Sequence, residues 1–201
     1  MLTERLRNWT QGIRATIGRT LGRLGIRPNA LTLLGFALNL VVMYVLARGQ
    51  LRIGGALVLL ASLFDALDGA VARATDQMST FGAFFDSFVD RYSEATVLFG
   101  LLLWYLQRGA QFELALIYVV AVGSLMVSYA RARAEGLGFE CKTGLLTRLE
   151  RVALLSIGLM VLQARITLLA LAILTNLTAL QRVAHVWQAT RQQANATGDR
   201  D

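Results

Sequence analysis

The sequence predicts an all-α integral membrane protein, a bundle of six transmembrane helices preceded by an amphipathic helix in the membrane interface. Three observations predict it. Apolar residues make up 55% of the 201-residue chain, charged residues only 16%, and the mean hydropathy is +0.52; a soluble domain carries about 25% charge. Apolar runs recur at 31–47, 53–72, 82–106, 112–130, 152–164 and 166–186, most of them close to the roughly 20 residues that cross a bilayer. The runs are continuous, without the period-two alternation of an outer-membrane barrel, and the single proline, Pro28, leaves the helices uninterrupted.

Residues 1–27 form the first element. Leu2, Leu6, Trp9, Ile13, Ile17, Leu21 and Leu24 fall on one helical face and the arginines largely elsewhere, the pattern of a helix lying in the cytoplasmic interface. No apolar core or small-residue cleavage site follows these charges, so a signal peptide is not predicted. Residues 28–187 form one six-helix domain, and residues 188–201 read as a flexible polar tail without periodicity. The first span opens on Pro28-Asn29-Ala30-Leu31-Thr32. Proline suits the first helical turn, and Asn29 and Thr32 read first as groups that satisfy its amides.

Spans two and three carry the most informative residues. Asp65 and Asp68 lie three apart, and Asp86 and Asp90 four apart, inside the most apolar part of the chain. Each pair shares one helix face, and the short link between the spans makes them antiparallel neighbours. A carboxylate at membrane depth costs about 3 kcal/mol even on the mild insertion scale. Arg73 and Arg91 cannot neutralise four of them, so a divalent cation is the expected partner. Oxygen-only ligands favour Mg2+ or Mn2+, with room for two ions. Zinc is disfavoured, because the one histidine, His185, is remote in sequence and Cys141 stands alone. Intramembrane carboxylates also mark proton and cation pathways, which makes a transporter the competing class.

Basic residues set the orientation. Arg5, Arg7, Arg14, Arg19, Arg23 and Arg27 precede the first span, and Arg131, Arg133, Lys142, Arg148 and Arg151 surround the connection between spans four and five. The opposite connections hold only Arg48, Arg52, Arg108 and Arg165. The positive-inside rule therefore places both termini and the aspartates at the cytoplasmic face of the cell membrane. The same rule, with contact to anionic headgroups, accounts for the net charge of +7, and nucleic acid is not an expected partner. Trp9, Trp104 and Trp187 fall near interfaces and read as anchors. His185 reads as interfacial and Cys141 as incidental.

Asp65-x-x-Asp68-Gly69-x-x-Ala72-Arg73-x8-Gly82-x-x-x-Asp86-x-x-x-Asp90 resembles, at every position, the signature of the CDP-alcohol phosphotransferases. The Pro28-Asn29-x-Leu31-Thr32 start and the six-helix plan are also similar to that family. The resemblance implies metal-dependent attack of an alcohol on the phosphorus next to the lipid of CDP-diacylglycerol or its ether analogue, with release of CMP. It implies that Asp65, Asp68 and Asp86 hold metal, and that Asp90 touches metal and takes the hydroxyl proton. Gly69, Arg73, Ser79 and Gly82, with Asn29 and Thr32, would hold the cytidine diphosphate; arginine suits bidentate phosphate contact. A homodimer is a further expectation.

The stretch Ser128-Tyr129-Ala130-Arg131-Ala132-Arg133-Ala134-Glu135-Gly136, with Gly144-x-x-x-Arg148-x-Glu150-Arg151, resembles the branch that makes phosphatidylinositol phosphate from inositol phosphate, and its archaeal ether-lipid relatives. That resemblance implies a pocket for the acceptor's phosphate made by Arg131, Arg151 and Arg182. The branch usually has lysine at the Arg131 position and proline at the Leu149 position, and arginine changes reach and hydrogen-bond geometry. Glycerol 3-phosphate, also anionic, is the alternative acceptor and would make the chain a phosphatidylglycerophosphate synthase.

Overall fold

The computed structural model describes residues 27–198, which form six helices: α1 Pro28–Ala47, α2 Leu51–Ala74, α3 Thr80–Leu106, α4 Gln111–Gly136, α5 Arg148–Met160 and α6 Ala164–Gly198. The described residues contain no strand. The predicted amphipathic helix, apart from Arg27, lies outside them. Four helices are long and apolar enough to cross a bilayer: α1, α2, α4 and α6 over Ala164–Gln193. α3 has the length but carries Asp86, Asp90, Arg91 and Glu94. α5 has only 13 residues, about 20 Å at 1.5 Å per residue against a hydrocarbon core of about 30 Å. Leu34, Val41, Leu60, Phe84, Tyr118, Ile166 and Leu180 are each more than half exposed. Such a surface would aggregate in water but suits contact with lipid.

Two boundaries differ from the sequence reading. The fifth helix ends at Met160 although Val161 and Leu162 continue the apolar run, because the chain turns there with Leu162 at φ +59°. The last helix continues to Gly198, through residues read as a polar tail. Gln188, Ala189, Arg191, Gln192 and Gln193 lack apolar periodicity but are good helix formers, and extending a formed helix avoids the cost of a new nucleus.

The chain divides into two compact units, Met1–Leu101 and Leu102–Asp201, with the boundary inside α3. In the first, α1 packs on α2, with Leu31, Val42, Leu46, Val58, Ala61 and Val71 in the core. Gly100 of α3 lies against the backbone of α1, and a Cβ there would come within 2.6 Å of the Met43 carbonyl oxygen. Without a methyl group at Gly100, the two helix backbones can come this close. α2 ends in a tight reversal. Gln77 N–H donates to Ala72 O at 3.0 Å, and Asp76 takes φ +54°, a conformation that aspartate tolerates.

In the second unit, α6 packs on both α4 and α5. A Cβ at Gly123 would fall on Thr175 and within 2.7 Å of Asn176 Nδ2, and one at Gly158 would overlap Thr167. The hydroxyls at these crossings are satisfied within their own helix. Thr167, Thr175 and Thr178 donate to the carbonyls of Gln163, Leu171 and Leu174 at 2.9, 2.8 and 2.7 Å, which removes most of the cost of burying them. At the N-terminal ends of α4 and α6, Arg165 Nε pairs with Glu113 at 3.2 Å and its guanidinium covers the Phe112 ring at 5.0 Å. Trp104 is covered in the same way by Arg108, at 4.7 Å.

Candidate active site

In the first unit, Asn29 and Thr32 from α1, Asp68, Gly69 and Arg73 from α2, Ser79 from the link, and Gly82 and Asp86 from α3 all line one cavity of about 200 Å3. Eight of the residues singled out in the sequence are thus brought together. Thr32 and Asp68 are buried, Asp68 to 7% exposure. The Thr32 hydroxyl donates to Asp68 Oδ2 at 2.8 Å; the Pro28 carbonyl is a second acceptor at 3.2 Å, but the single proton favours the nearer, charged oxygen. The Gly69 amide donates to Asp68 Oδ1. Asp68 is therefore held from both sides.

Two glycines keep side chains out of part of this cavity. A Cβ at Gly69 would sit 3.3 Å from Arg73 Nη1, and one at Gly82 would sit 2.9 Å from Ser79 Oγ and 3.5 Å from Asn29 Oδ1. Ser79 Oγ accepts the Gly82 amide at 2.9 Å, the bond of a helix N-cap, which fixes where α3 begins. The start of that helix is itself suited to an anion, since its free amides and dipole are positive. Arg73 is exposed and lines the same cavity.

Asp65 and Asp90 do not line the cavity. Asp65 lies one turn before Asp68, and its carboxylate occupies the place where a side chain at Gly35 would stand. Asp90 lies one turn beyond Asp86 on α3. The sequence reading expects all four aspartates to converge on metal. Among the described residues, however, no three Asp, Glu, His or Cys side chains are drawn together closely enough to hold an ion. Asp65 reaches the place of a Gly35 side chain on α1, and Asp68 is bonded by Thr32 and the Gly69 amide. The donor set nevertheless fits a hard divalent cation in kind, being all carboxylate oxygen and paired by helical spacing. Sequence reasoning missed Gly35, Gln77 and Met78. The last two line the cavity from the link, where only their position between two motif halves could have singled them out.

The second unit holds the three arginines assigned to the acceptor. Arg151, in the first turn of α5, is 3% exposed, and Arg182 of α6 is 5% exposed. Arg131, near the end of α4, is exposed and pairs with Glu135 at 2.8 Å. Arg182 is coupled electrostatically to both Arg131 and Arg151. Arg182 also lies within reach of the Glu135 carboxylate, and guanidiniums gathered around one residue suit an anion.

Arg182 also does something the sequence reading did not foresee. Its Nε donates to Thr143 O at 3.0 Å and its Nη1 to Val127 O. It belongs to a row on α6 that grips the backbone of the α4–α5 connection. Thr178 Oγ1 accepts Leu146 N–H at 3.2 Å, Gln181 Oε1 accepts Leu145 N–H at 3.1 Å, and His185 Nε2 donates to Glu140 O at 3.0 Å. These residues follow the helical spacing 178, 181, 182, 185, which puts them on one face. Gly144 sits inside the connection at φ +139°, and a Cβ there would meet Thr178 at 2.7 Å. Cys141, buried in the same segment, is a free thiol. The available signal was a row of polar side chains on one face of an apolar helix.

The family model described as CDP-alcohol phosphatidyltransferase matches residues 26–187. The chain is 39% identical over 168 residues to the archaetidylinositol phosphate synthase of Pyrococcus horikoshii, covering 83% of this chain and 87% of that one. Its fold is similar to the crystal structure of Mycobacterium tuberculosis phosphatidylinositol phosphate synthase with CDP-DAG bound, with TM-score 0.82, 31% identity and coverage of 87% of this chain and 94% of that one. The same enzyme in complex with manganese and citrate is similar with TM-score 0.79 and 30% identity, covering 87% and 88% of the two chains.

Proposed function

Because this chain belongs to the CDP-alcohol phosphatidyltransferase family, we propose that it transfers a phosphatidyl group, or its ether-lipid equivalent, from a CDP-linked lipid to a hydroxyl of inositol phosphate. The observation that carries this reading is the single cavity in which Asn29, Thr32, Asp68, Gly69, Arg73, Ser79, Gly82 and Asp86 come together. By the family resemblance, six of these, Asn29, Thr32, Gly69, Arg73, Ser79 and Gly82, would hold the cytidine diphosphate, and Asp68 and Asp86 would hold metal beside it. The named relatives act in inositol phosphate lipid synthesis, and Arg182, with Arg131 and Arg151 near enough to act on it, suits a dianionic acceptor.

In this reaction the acceptor oxygen forms a bond to the phosphorus that carries the lipid. The bond from that phosphorus to the bridging oxygen breaks, and CMP leaves. Asp90 takes the proton of the attacking hydroxyl. Arg73 and the amides that begin α3 hold the diphosphate, and Gly69 and Gly82 let it approach the backbone. Asp65, Asp68, Asp86 and Asp90 would hold Mg2+ or Mn2+, two ions in the full site, which supply positive charge where the phosphorus oxygens and the leaving phosphate become more negative. Thr32 fixes the orientation of Asp68. Arg131, Arg151 and Arg182 bind the acceptor's phosphate. All six helices belong to the membrane domain, with termini and site on the cytoplasmic side of the cell membrane, and the enzyme works as a homodimer.

The test is CMP release from CDP-diacylglycerol by purified protein in liposomes, with inositol phosphate, glycerol 3-phosphate, glycerol, inositol and serine offered separately. Inositol phosphate should support the fastest release. Release with glycerol 3-phosphate and not inositol phosphate would make the chain a phosphatidylglycerophosphate synthase. No release with any acceptor, together with ion flux, would return the carboxylates to a transport role.

Two substitutions probe the halves separately. In Gly35→Ala the added methyl falls on the Asp65 carboxylate. Turnover should drop by up to about 10²-fold, the scale of a misplacement near 1 Å, with a raised metal requirement and an unchanged acceptor KM. In Arg151→Ala the acceptor KM should rise at least about tenfold, equivalent to one lost charged hydrogen bond, while the KM for CDP-diacylglycerol holds. An unchanged acceptor KM would assign Arg151 to structure.

A further inference from the structure

A second cavity, of about 650 Å3, lies in the second unit between α4 and α6, within the 300–1,000 Å3 typical of ligand sites. Its apolar length is lined by Met126, Ala130, Leu180 and Val183, and Arg133, Arg182 and Trp187 also face it. α4 and α6 run in the same direction here: Gly123 meets Thr175, and Val127 meets Arg182. Arg133 and Trp187 therefore lie at the same end, toward the C-termini of both helices. The Arg191 guanidinium stacks on the Trp187 ring at 4.0 Å from its centroid, adding a further cation to that end.

Among the described residues, none of Arg133, Arg182 and Arg191 is ion-paired with a carboxylate. Arg182 gives two of its donors to backbone carbonyls and feels the Glu135 carboxylate, so the free cations at this end are Arg133 and Arg191. An apolar trough closed at one end by guanidiniums and an indole is complementary to one kind of molecule: an acyl chain along the trough and a phosphate at its basic end. Lipid is also the solvent that an exposed face of a membrane-crossing helix meets. We infer that this groove is a binding site for an anionic phospholipid, held by Arg133 and Arg191 through its headgroup and by α4 and α6 through one tail. The site differs from the other cavity, all of whose lining belongs to the first unit. The inference rests on the groove and the membrane reading, not on the identity of the acceptor.

The experiment is native mass spectrometry of the whole protein after reconstitution with equal amounts of dioleoyl phosphatidylglycerol and dioleoyl phosphatidylcholine. Phosphatidylglycerol should be retained at least tenfold over phosphatidylcholine. The double substitution Arg133→Gln and Arg191→Gln, both at exposed positions, should cut that retention at least fivefold, and Arg73→Gln in the other cavity should leave it unchanged. Ala179→Phe, which fills the trough, should also remove the lipid without changing the oligomeric mass. Equal retention of the two lipids would overturn the proposal, as would indifference to the double substitution. Displacement of the lipid by excess inositol phosphate would place it on the acceptor arginines instead. A change of oligomeric mass with Ala179→Phe would give this face to a second copy of the chain.

Discussion

Asp90→Asn is expected to lower CMP release by about 10²–10⁴-fold, the range that a positioned general base supplies, while CDP-diacylglycerol binding stays within a few-fold of the unsubstituted enzyme. Asparagine keeps the shape of the side chain and one oxygen, but its amide cannot accept a proton from the acceptor hydroxyl at neutral pH. Asp90 lies one turn beyond Asp86 on α3 and outside the cavity that holds the proposed diphosphate site. The substitution should therefore spare donor binding. Loss of a metal ligand is the other way to lose activity here, and titration with Mn2+ separates the two. Turnover restored by excess Mn2+ would make Asp90 a ligand only, whereas a defect that persists at saturating metal assigns it the proton. Turnover close to normal in ordinary buffer would remove Asp90 from both roles.

Arg182→Ala is expected to have two effects at once. The acceptor KM should rise at least tenfold, and the protein should unfold at a lower temperature. The second effect follows from the hydrogen bonds to Thr143 O and Val127 O. Removing a buried donor leaves its acceptor without a partner, at about 1–3 kcal/mol for each. Arg182→Lys separates the effects. Lysine keeps the charge but has one nitrogen in place of a planar fork, and it cannot reproduce both carbonyl contacts with the same geometry. It should recover part of the acceptor affinity and little of the thermal stability. If both variants lose stability yet bind the acceptor normally, Arg182 is a clasp for the α4–α5 connection, and the acceptor's phosphate depends on Arg131 and Arg151.

Most of the helices were legible in the sequence, because hydropathy and helix propensity act locally. The cavity of the first unit was legible for a different reason. Its residues come from a motif with fixed spacing on two consecutive helices, and a short link permits only one arrangement of such helices. What was missed depends on contacts between distant parts of the chain. The place of Asp65 against Gly35 joins residues 30 positions apart, and no local pattern marks that glycine as the neighbour of a carboxylate. Arg182 could be picked out as a cation, but not as a residue that holds Thr143, 39 positions away. The fifth helix was placed too late because hydropathy does not register the turn at Leu162. Residues 188–198 were read as a tail because loss of an apolar stripe is not loss of helix.

The row Thr178, Gln181, Arg182 and His185 hydrogen-bonds to the α4–α5 connection through its main chain, at two amides and two carbonyls. A backbone held in this way has a fixed path but little dictated sequence beyond Gly138 and Gly144, whose φ values of +85° and +139° favour glycine, and the buried Cys141. Evolution or an engineer can therefore exchange the outward side chains of residues 137–146 while the clamp keeps the segment in register and Thr147 caps α5. Transplanting this connection from a relative with another acceptor preference, with Gly138, Cys141, Gly144 and the four α6 residues retained, offers a route to altered selectivity that leaves the helices untouched.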